Sequence, residues 1–308
     1  LFAWIIVPIL VAQIAVPNLW SVLTNAPINN IIWSYIFGVL WGIGGLTFGL
    51  TMRYLGMSLG MAMALGLTAI FGTVLPPIYF GNFSYLMAHL SGLVTLGGVM
   101  ICILGIAVCG WAGLRKDREQ SDEEKKQSIQ EFDFKKGIWV AFFAGIMSAC
   151  FAFGIAAGKP IAELAVANNT LPLFQNSPVF VVILLGGFTT NFTWCLLLNI
   201  KNKSIGDYFS KDKAPLFTNY FFSALAGITW YFQFMFYGMG TTQMGKYDFV
   251  SWSIHMAFII TFSNMWGLIL HEWRGSQKST IRIISGGLLI LVFSTIVIGL
   301  GSYLQKFE

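Results

Sequence analysis

Charge is what this 308-residue sequence has least of: Asp, Glu, Lys and Arg together make up 10% of it, against about a quarter of an ordinary soluble domain. With 56% hydrophobic residues and a mean hydropathy of +0.72, that scarcity excludes a water-soluble fold and points to a polytopic membrane protein. The net charge of +5 is then read as basic loops on one side of a membrane, not as a nucleic-acid surface. Cysteine is also scarce. Cys102, Cys109, Cys150 and Cys195 all fall within apolar runs and none has CxxC spacing, so neither disulfides nor a zinc site are expected, and no cofactor is. The opening LFAWIIVPILVAQIAVP has no initiator Met and no basic stretch ahead of it. It does not read as a signal peptide, and the chain is expected to start inside a larger protein. Catalytic signatures are missing as well. No paired carboxylates and no Ser/His/Asp set lie within the apolar segments, which counts against a membrane-embedded enzyme. Gly154 to Pro160, GIAAGKP, is one residue short of phosphate-loop glycine spacing and has Pro160 in place of Ser or Thr, and His271-Glu272 lacks the second His of a zincin helix.

What the chain does have is apolar length. A helix needs about 20 mostly apolar residues to cross the hydrocarbon, and that rule predicts nine spans at about 1–20, 31–52, 57–79, 90–114, 137–158, 178–200, 215–240, 247–271 and 279–302. Of the 18 Lys and Arg residues, all but Lys159, Lys246 and Lys306 fall in loops on one predicted side: Arg53; Arg115 to Lys136; Lys201, Lys203, Lys211 and Lys213; Arg274, Lys278 and Arg282. That side is expected to be cytoplasmic and the C-terminus external. Residues 115–136 balance seven basic against seven acidic residues with little apolar content, and are read as a solvated linker between residues 1–114 and 137–308.

The two halves repeat one another. Setting Trp41 against Trp230 brings Gly49 onto Gly238 and Gly56 onto Gly245 without a gap, with Leu50 opposite Met239 and Leu55 opposite Met244. The matched helix pairs run in opposite directions through the predicted membrane, so the expected architecture is an all-α bundle of two inverted-topology repeats. That is a transporter signature, with substrate near mid-membrane at the repeat interface. The fifth span opens the second repeat and has no counterpart before the first, so ten helices are expected in the full-length protein. Gly38, Gly42, Gly45 and Gly49 are read as a close-packing stripe on the second span.

Candidate functional residues cluster late in the chain. On one regular helix Asp248, Ser251, Trp252 and His255 would share a face, with His255 about 10 Å below Asp248. Ionisable groups inside a span are costly, about 2.5–3.5 kcal/mol each on insertion scales, and either one could titrate near neutrality. Asp248 and His255 are therefore the proton-coupling candidates. The first repeat has Leu59 and Gly66 at the matching positions, so shared architecture does not demand these residues. Aromatic rings stack on the C–H faces of sugars while amides and hydroxyls pair with sugar hydroxyls. Trp41, Trp230, Gln233, Tyr237, Ser251, Trp252 and, more weakly, Asn191 are the substrate-binding candidates on that chemistry.

The runs WGIGGLTFGLTMRYLGMSLGMAMALGLTAIFGTVLPP, from Trp41 to Pro77, and TWYFQFMFYGMG through YDFVSWSIHMAF, from Thr229 to Phe258, resemble the bacterial L-rhamnose/proton symporter family of the drug/metabolite transporter superfamily. The likeness extends over essentially the whole chain. It implies a ten-helix protein of two inverted five-helix repeats in the inner membrane, importing L-rhamnose or a closely related sugar with a proton. The implied partners are that sugar, the proton and the bilayer, and the sequence leaves a homo-oligomer open. An exporter or exchanger on the same fold is the alternative transport reading.

Overall fold

In the computed structural model, which describes residues 1–79, 81, 83–119, 133–210 and 215–308, all regular structure is helical. A π-helical turn, Phe2–Ile6, leads into α1 (Val7–Ala15) and α2 (Leu19–Asn25). The first half continues with α3 (Ile28–Leu55), α4 (Met57–Tyr79), the short α5 (Phe83–Ala88) and α6 (Leu90–Glu119). The second contains α7 (Phe134–Ala157), α8 (Lys159–Ala167), α9 (Ser177–Asn202), α10 (Leu216–Thr241), α11 (Ser251–Ile269) and α12 (Lys278–Leu304). Among the described residues seven helices are long and apolar enough to span a membrane, or eight if the bent pair at the start is one span. α10 is not one of the seven. It has the length, 26 residues, but Asn219, Trp230, Gln233 and its tyrosines dilute its apolar character.

Two expectations about helix shape are corrected. The segment read as a span over residues 1–20 is broken: Val16 is extended (φ −117°, ψ 107°), as the residue before Pro17 tends to be, and Asn18 is left-handed (φ 53°). The helices on either side meet at 101°. The stretch after Gly245 is not one regular α-helix either. Gly245–Val250 is a 3₁₀ segment kinked at Tyr247 (φ −102°, ψ 29°), and α11 begins only at Ser251. The expected linker over 115–136 is helical at both ends, through Glu119 and from Phe134. Its middle, 120–132, lies outside the described residues, as do Lys211 and Lys213.

The chain forms two compact units, 1–43 with 153–243 and 44–152 with 244–308. They interleave along the sequence, with α3 and α7 contributing to both. This partition concerns compactness and differs from the repeat boundaries, which concern sequence likeness.

The first unit is built on close backbone approach. α3 and α9 pack so tightly that a Cβ on Gly38 would fall within 3.0 Å of three backbone atoms of Ile183, and one on Gly42 within 3.1 Å of Gly187. Polar side chains then reach across: Thr190 Oγ1 donates to Val39 O (2.9 Å), Tyr35 and Thr189 hydroxyls pair at 2.8 Å, and Asn30 donates to Ala157 O (2.7 Å). With no water in the bilayer core to satisfy them, such groups bind neighbouring helices.

The second unit rests on an antiparallel pair. α6 and α12 run alongside each other with Thr95 against Gly301, Gly98 against Ile298, Gly105 against Leu291 and Cys109 against Gly287. Every seventh residue on the facing stripes is small: Ser91, Gly98, Gly105 and Ala112 on one helix; Thr280, Gly287, Ser294 and Gly301 on the other. That spacing keeps one narrow seam in register along both helices. At one end of the pair Glu119 accepts from the Thr280 hydroxyl (2.6 Å) and from Gln277 N–H (2.9 Å), capping the N-terminus of α12 from another helix. The Thr280 bond, and then the Gln277 bond, hold its carboxyl below the usual carboxylate range.

Candidate functional site

The sequence-predicted residues fall in both units. In the first, the π-helical turn, α3 and α10 bring three indoles together. Trp41 and Trp230 lie nearly parallel (16°) with centroids 6.0 Å apart. Trp4 is 5.1 Å from one and 5.0 Å from the other. Phe234 packs edge-on against both Trp41 and Trp230. The cluster forms because Gly187 leaves room on α9 for the Trp4 ring, which a Cβ there would strike. A pyranose in van der Waals contact needs roughly 3.5–4.0 Å from each ring, so none fits between indoles 6.0 Å apart. Sugar stacking in this conformation is confined to the outer faces of the cluster.

Gln233, one turn from Trp230 on α10, is half-buried, and its amide makes no hydrogen bond to another described residue. Tyr231 is fully buried, and its hydroxyl has no partner among the described residues. Tyr237 is buried on the inward face of the same helix. Asn191 donates its amide N–H to Gly187 O of its own helix (2.9 Å) and makes no hydrogen bond to another helix among the described residues. Trp4 was not legible as a member of this cluster. Its only sequence signal is an indole placed four residues ahead of Pro8.

In the second unit the 3₁₀ segment sets the positions. Tyr247 and Val250 are buried, and the Tyr247 hydroxyl pairs with Ser91 at 2.6 Å. Asp248, between them, is exposed. The regular stripe predicted from Asp248 to His255 therefore holds only from Ser251 onward. Ser251 donates to Asp248 O (2.5 Å) and so serves the turn. Trp252 is 2% exposed, donates its indole N–H to Thr68 O (3.0 Å) and stacks on Phe151 with centroids 5.5 Å apart. Gly72 makes room for that ring. His255, one turn deeper and half-buried, tilts against Trp252 at 5.7 Å. Nearby, the Thr73 and Ser253 hydroxyls pair at 2.7 Å. Trp252 is a packed, committed residue, and His255 is an imidazole held inside a span beside it.

An indole cluster next to an unpaired amide is suited to a neutral polyol, and an intramembrane imidazole is suited to proton exchange. The family model described as L-rhamnose-proton symport protein (RhaT) matches residues 1–303. The chain belongs to this symport family. L-rhamnose-proton symporters of Yersinia pestis (strain Pestoides F) and Yersinia pseudotuberculosis serotype O:1b (strain IP 31758) are each 38% identical to it over 304 residues, 98% of this chain and 87% of theirs. No solved structure matches. The symport family is one of transporters, so the membrane-enzyme reading is set aside.

Proposed function

We propose that this chain is the body of a secondary active transporter that imports L-rhamnose or a closely related sugar with a proton by alternating access. Membership of the symport family carries the reading, and the indole cluster of Trp4, Trp41 and Trp230 gives it a chemical basis. Trp41, Trp230, Gln233, Tyr237 and, more weakly, Asn191 bind sugar; Asp248 and His255 exchange the proton; Ser251 and Trp252, sugar-binding candidates by sequence, are engaged in the turn and packing at the start of α11. The closed cluster is a gate, and its opening exposes the faces on which the sugar stacks. Coupling follows when only the doubly loaded protein favours the switch, because ligands shift an equilibrium only by their differential affinity for its states.

The architecture we propose is nine spans here and ten in the full-length protein, in two inverted repeats of the drug/metabolite transporter type. Three observations support it. Gly56 and Gly245, which the repeat alignment pairs, are both left-handed (φ 79° and 58°) between successive helical segments, a conformation that glycine adopts at little cost. Trp41 stacks on Trp230, its own counterpart. α6 and α12, the last helices of the two repeats, pack antiparallel. The basic loops are cytoplasmic, the C-terminus is external, and the membrane is the bacterial inner membrane.

The direct test is labelled L-rhamnose uptake by the full-length protein in cells, with competition by other deoxysugars. Trp230→Ala and Gln233→Leu are expected to reduce uptake through a raised KM. If both variants transport as the parent does, the sugar is bound elsewhere.

A further inference from the structure

One end of α4, α6 and α11 encloses a cavity of about 150 Å³, lying wholly within the second unit, that neither the sugar nor the proton assignment uses. Leu65, Ile106 and Ile260 form an apolar wall, Ser263 and Asn264 also line the cavity, and Lys116, Glu272 and Trp273 stand at the helix ends that form its mouth. The charges at the mouth are not matched to one another. The Lys116 ammonium lies over the Trp273 ring, 4.9 Å from its centroid. Neither it nor the Glu272 carboxylate forms an ion pair with any described residue. Trp273 is 8% exposed, and its indole N–H has no acceptor among the described residues. Gly267 shows that these groups converge, since a Cβ there would lie 3.0 Å from Glu272 Oε2 and 3.3 Å from Trp273 Nε1.

Lys116 is half-buried, Glu272 is exposed and Trp273 is buried, so the mouth of the cavity presents an ammonium, a carboxylate and an indole N–H donor together to an entering guest. A guest carrying one anion and one ammonium answers all three. The depth of the cavity says where the guest comes from. Lys116 ends one candidate span and Glu272 follows the end of another at Ile269. The charges thus stand at headgroup level and the apolar wall within the hydrocarbon. We propose that the cavity binds a zwitterionic phospholipid with a primary ammonium, of the phosphatidylethanolamine class. The phosphate meets Lys116 and the Trp273 N–H, the ammonium donates to Glu272, and the glycerol and first methylenes lie along Leu65, Ile106 and Ile260. A neutral sugar leaves both charges unanswered. A choline headgroup has no N–H to donate.

The test is native mass spectrometry of the purified full-length protein with phosphatidylethanolamine, phosphatidylcholine and phosphatidylglycerol of identical acyl chains. One phosphatidylethanolamine per protein is expected to be retained about tenfold more than either other lipid, the worth of a charge-assisted hydrogen bond. Glu272→Gln and Lys116→Gln each abolish the preference, and Gly267→Ala, which puts a methyl where the groups converge, weakens it in a protein with its charges intact. Equal retention of the three lipids overturns the proposal, and so does a preference that survives both charge substitutions. Soluble phosphoethanolamine that competes as well as the intact lipid overturns the membrane origin of the guest.

Discussion

Replacing Gly38 with alanine probes the packing of the first unit most sharply. The added Cβ would fall within 3.0 Å of the carbonyl oxygen, carbonyl carbon and Cα of Ile183. All three are backbone atoms, so no side chain can swing aside and α3 and α9 must move apart. Overpacking of this kind costs about 1–3 kcal/mol. Separation also loosens the Thr190–Val39 and Tyr35–Thr189 hydrogen bonds that bridge the same two helices, worth roughly 0.6 kcal/mol each in a membrane protein. Gly45 lies two turns further along the same helix, and no atom of the described residues comes within 4 Å of such a Cβ. Alanine there gains up to about 1 kcal/mol of helix propensity. The two variants should therefore differ by about 2–5 kcal/mol. Thermal unfolding of the purified proteins in detergent, followed by tryptophan fluorescence, should show Gly38→Ala with a lowered Tm and Gly45→Ala with an equal or raised one. Equal shifts, or a Gly38→Ala protein as stable as the parent, would refute the packing argument.

Other expectations follow from single contacts. Trp252→Phe keeps the stack on Phe151 but loses the bond to Thr68 O, and should destabilise by about 1 kcal/mol in the same assay; an unchanged Tm would show that this bond contributes nothing. Trp4→Ala removes the ring packed against both Trp41 and Trp230 and should impair L-rhamnose uptake with the sequences of α3 and α10 unchanged; uptake equal to that of the parent would show that the cluster does not serve transport. The Glu119 cap carries a pH dependence. Because its carboxyl is held below the usual range by Thr280 and Gln277, its contribution is full above the unfolded value of about 4.3. It is lost as pH falls through the lower folded value. Glu119→Gln should flatten the fall of Tm below about pH 4.3, and a fall as steep as that of the parent would contradict the cap.

Much of the fold is legible because long apolar runs leave the chain few choices. The expected segments 57–79, 178–200, 215–240 and 279–302 differ from α4, α9, α10 and α12 by no more than a turn at either end. Where the backbone departs from those runs, the cause is local at one place and distant at another. The break at Val16 follows from Pro17 and was there to be read. The kink at Tyr247 was not, because it depends on that side chain burying itself against Ser91, far away in sequence. The glycine stripe on α3 shows the same limit. Its even spacing treats Gly38, Gly42, Gly45 and Gly49 alike, yet the first two touch the α9 backbone and the last two meet no neighbour among the described residues. At the candidate site, Trp41 and Trp230 were legible because the repeat pairs them. Trp4 joins them only through the fold. The cavity at Lys116, Glu272 and Trp273 draws on three separate helix ends and has no signature in any one of them.

In the proposed mechanism sugar entry is coupled to a proton through His255. The measurement that meets it most directly is L-rhamnose uptake into vesicles carrying the full-length protein, with and without an imposed inward proton gradient, for the parent and for His255→Ala. The gradient should accelerate uptake by the parent and have no effect on the His255→Ala protein. Uptake indifferent to the gradient in the parent, or a His255→Ala variant that still responds to it, would rule out coupling through this imidazole.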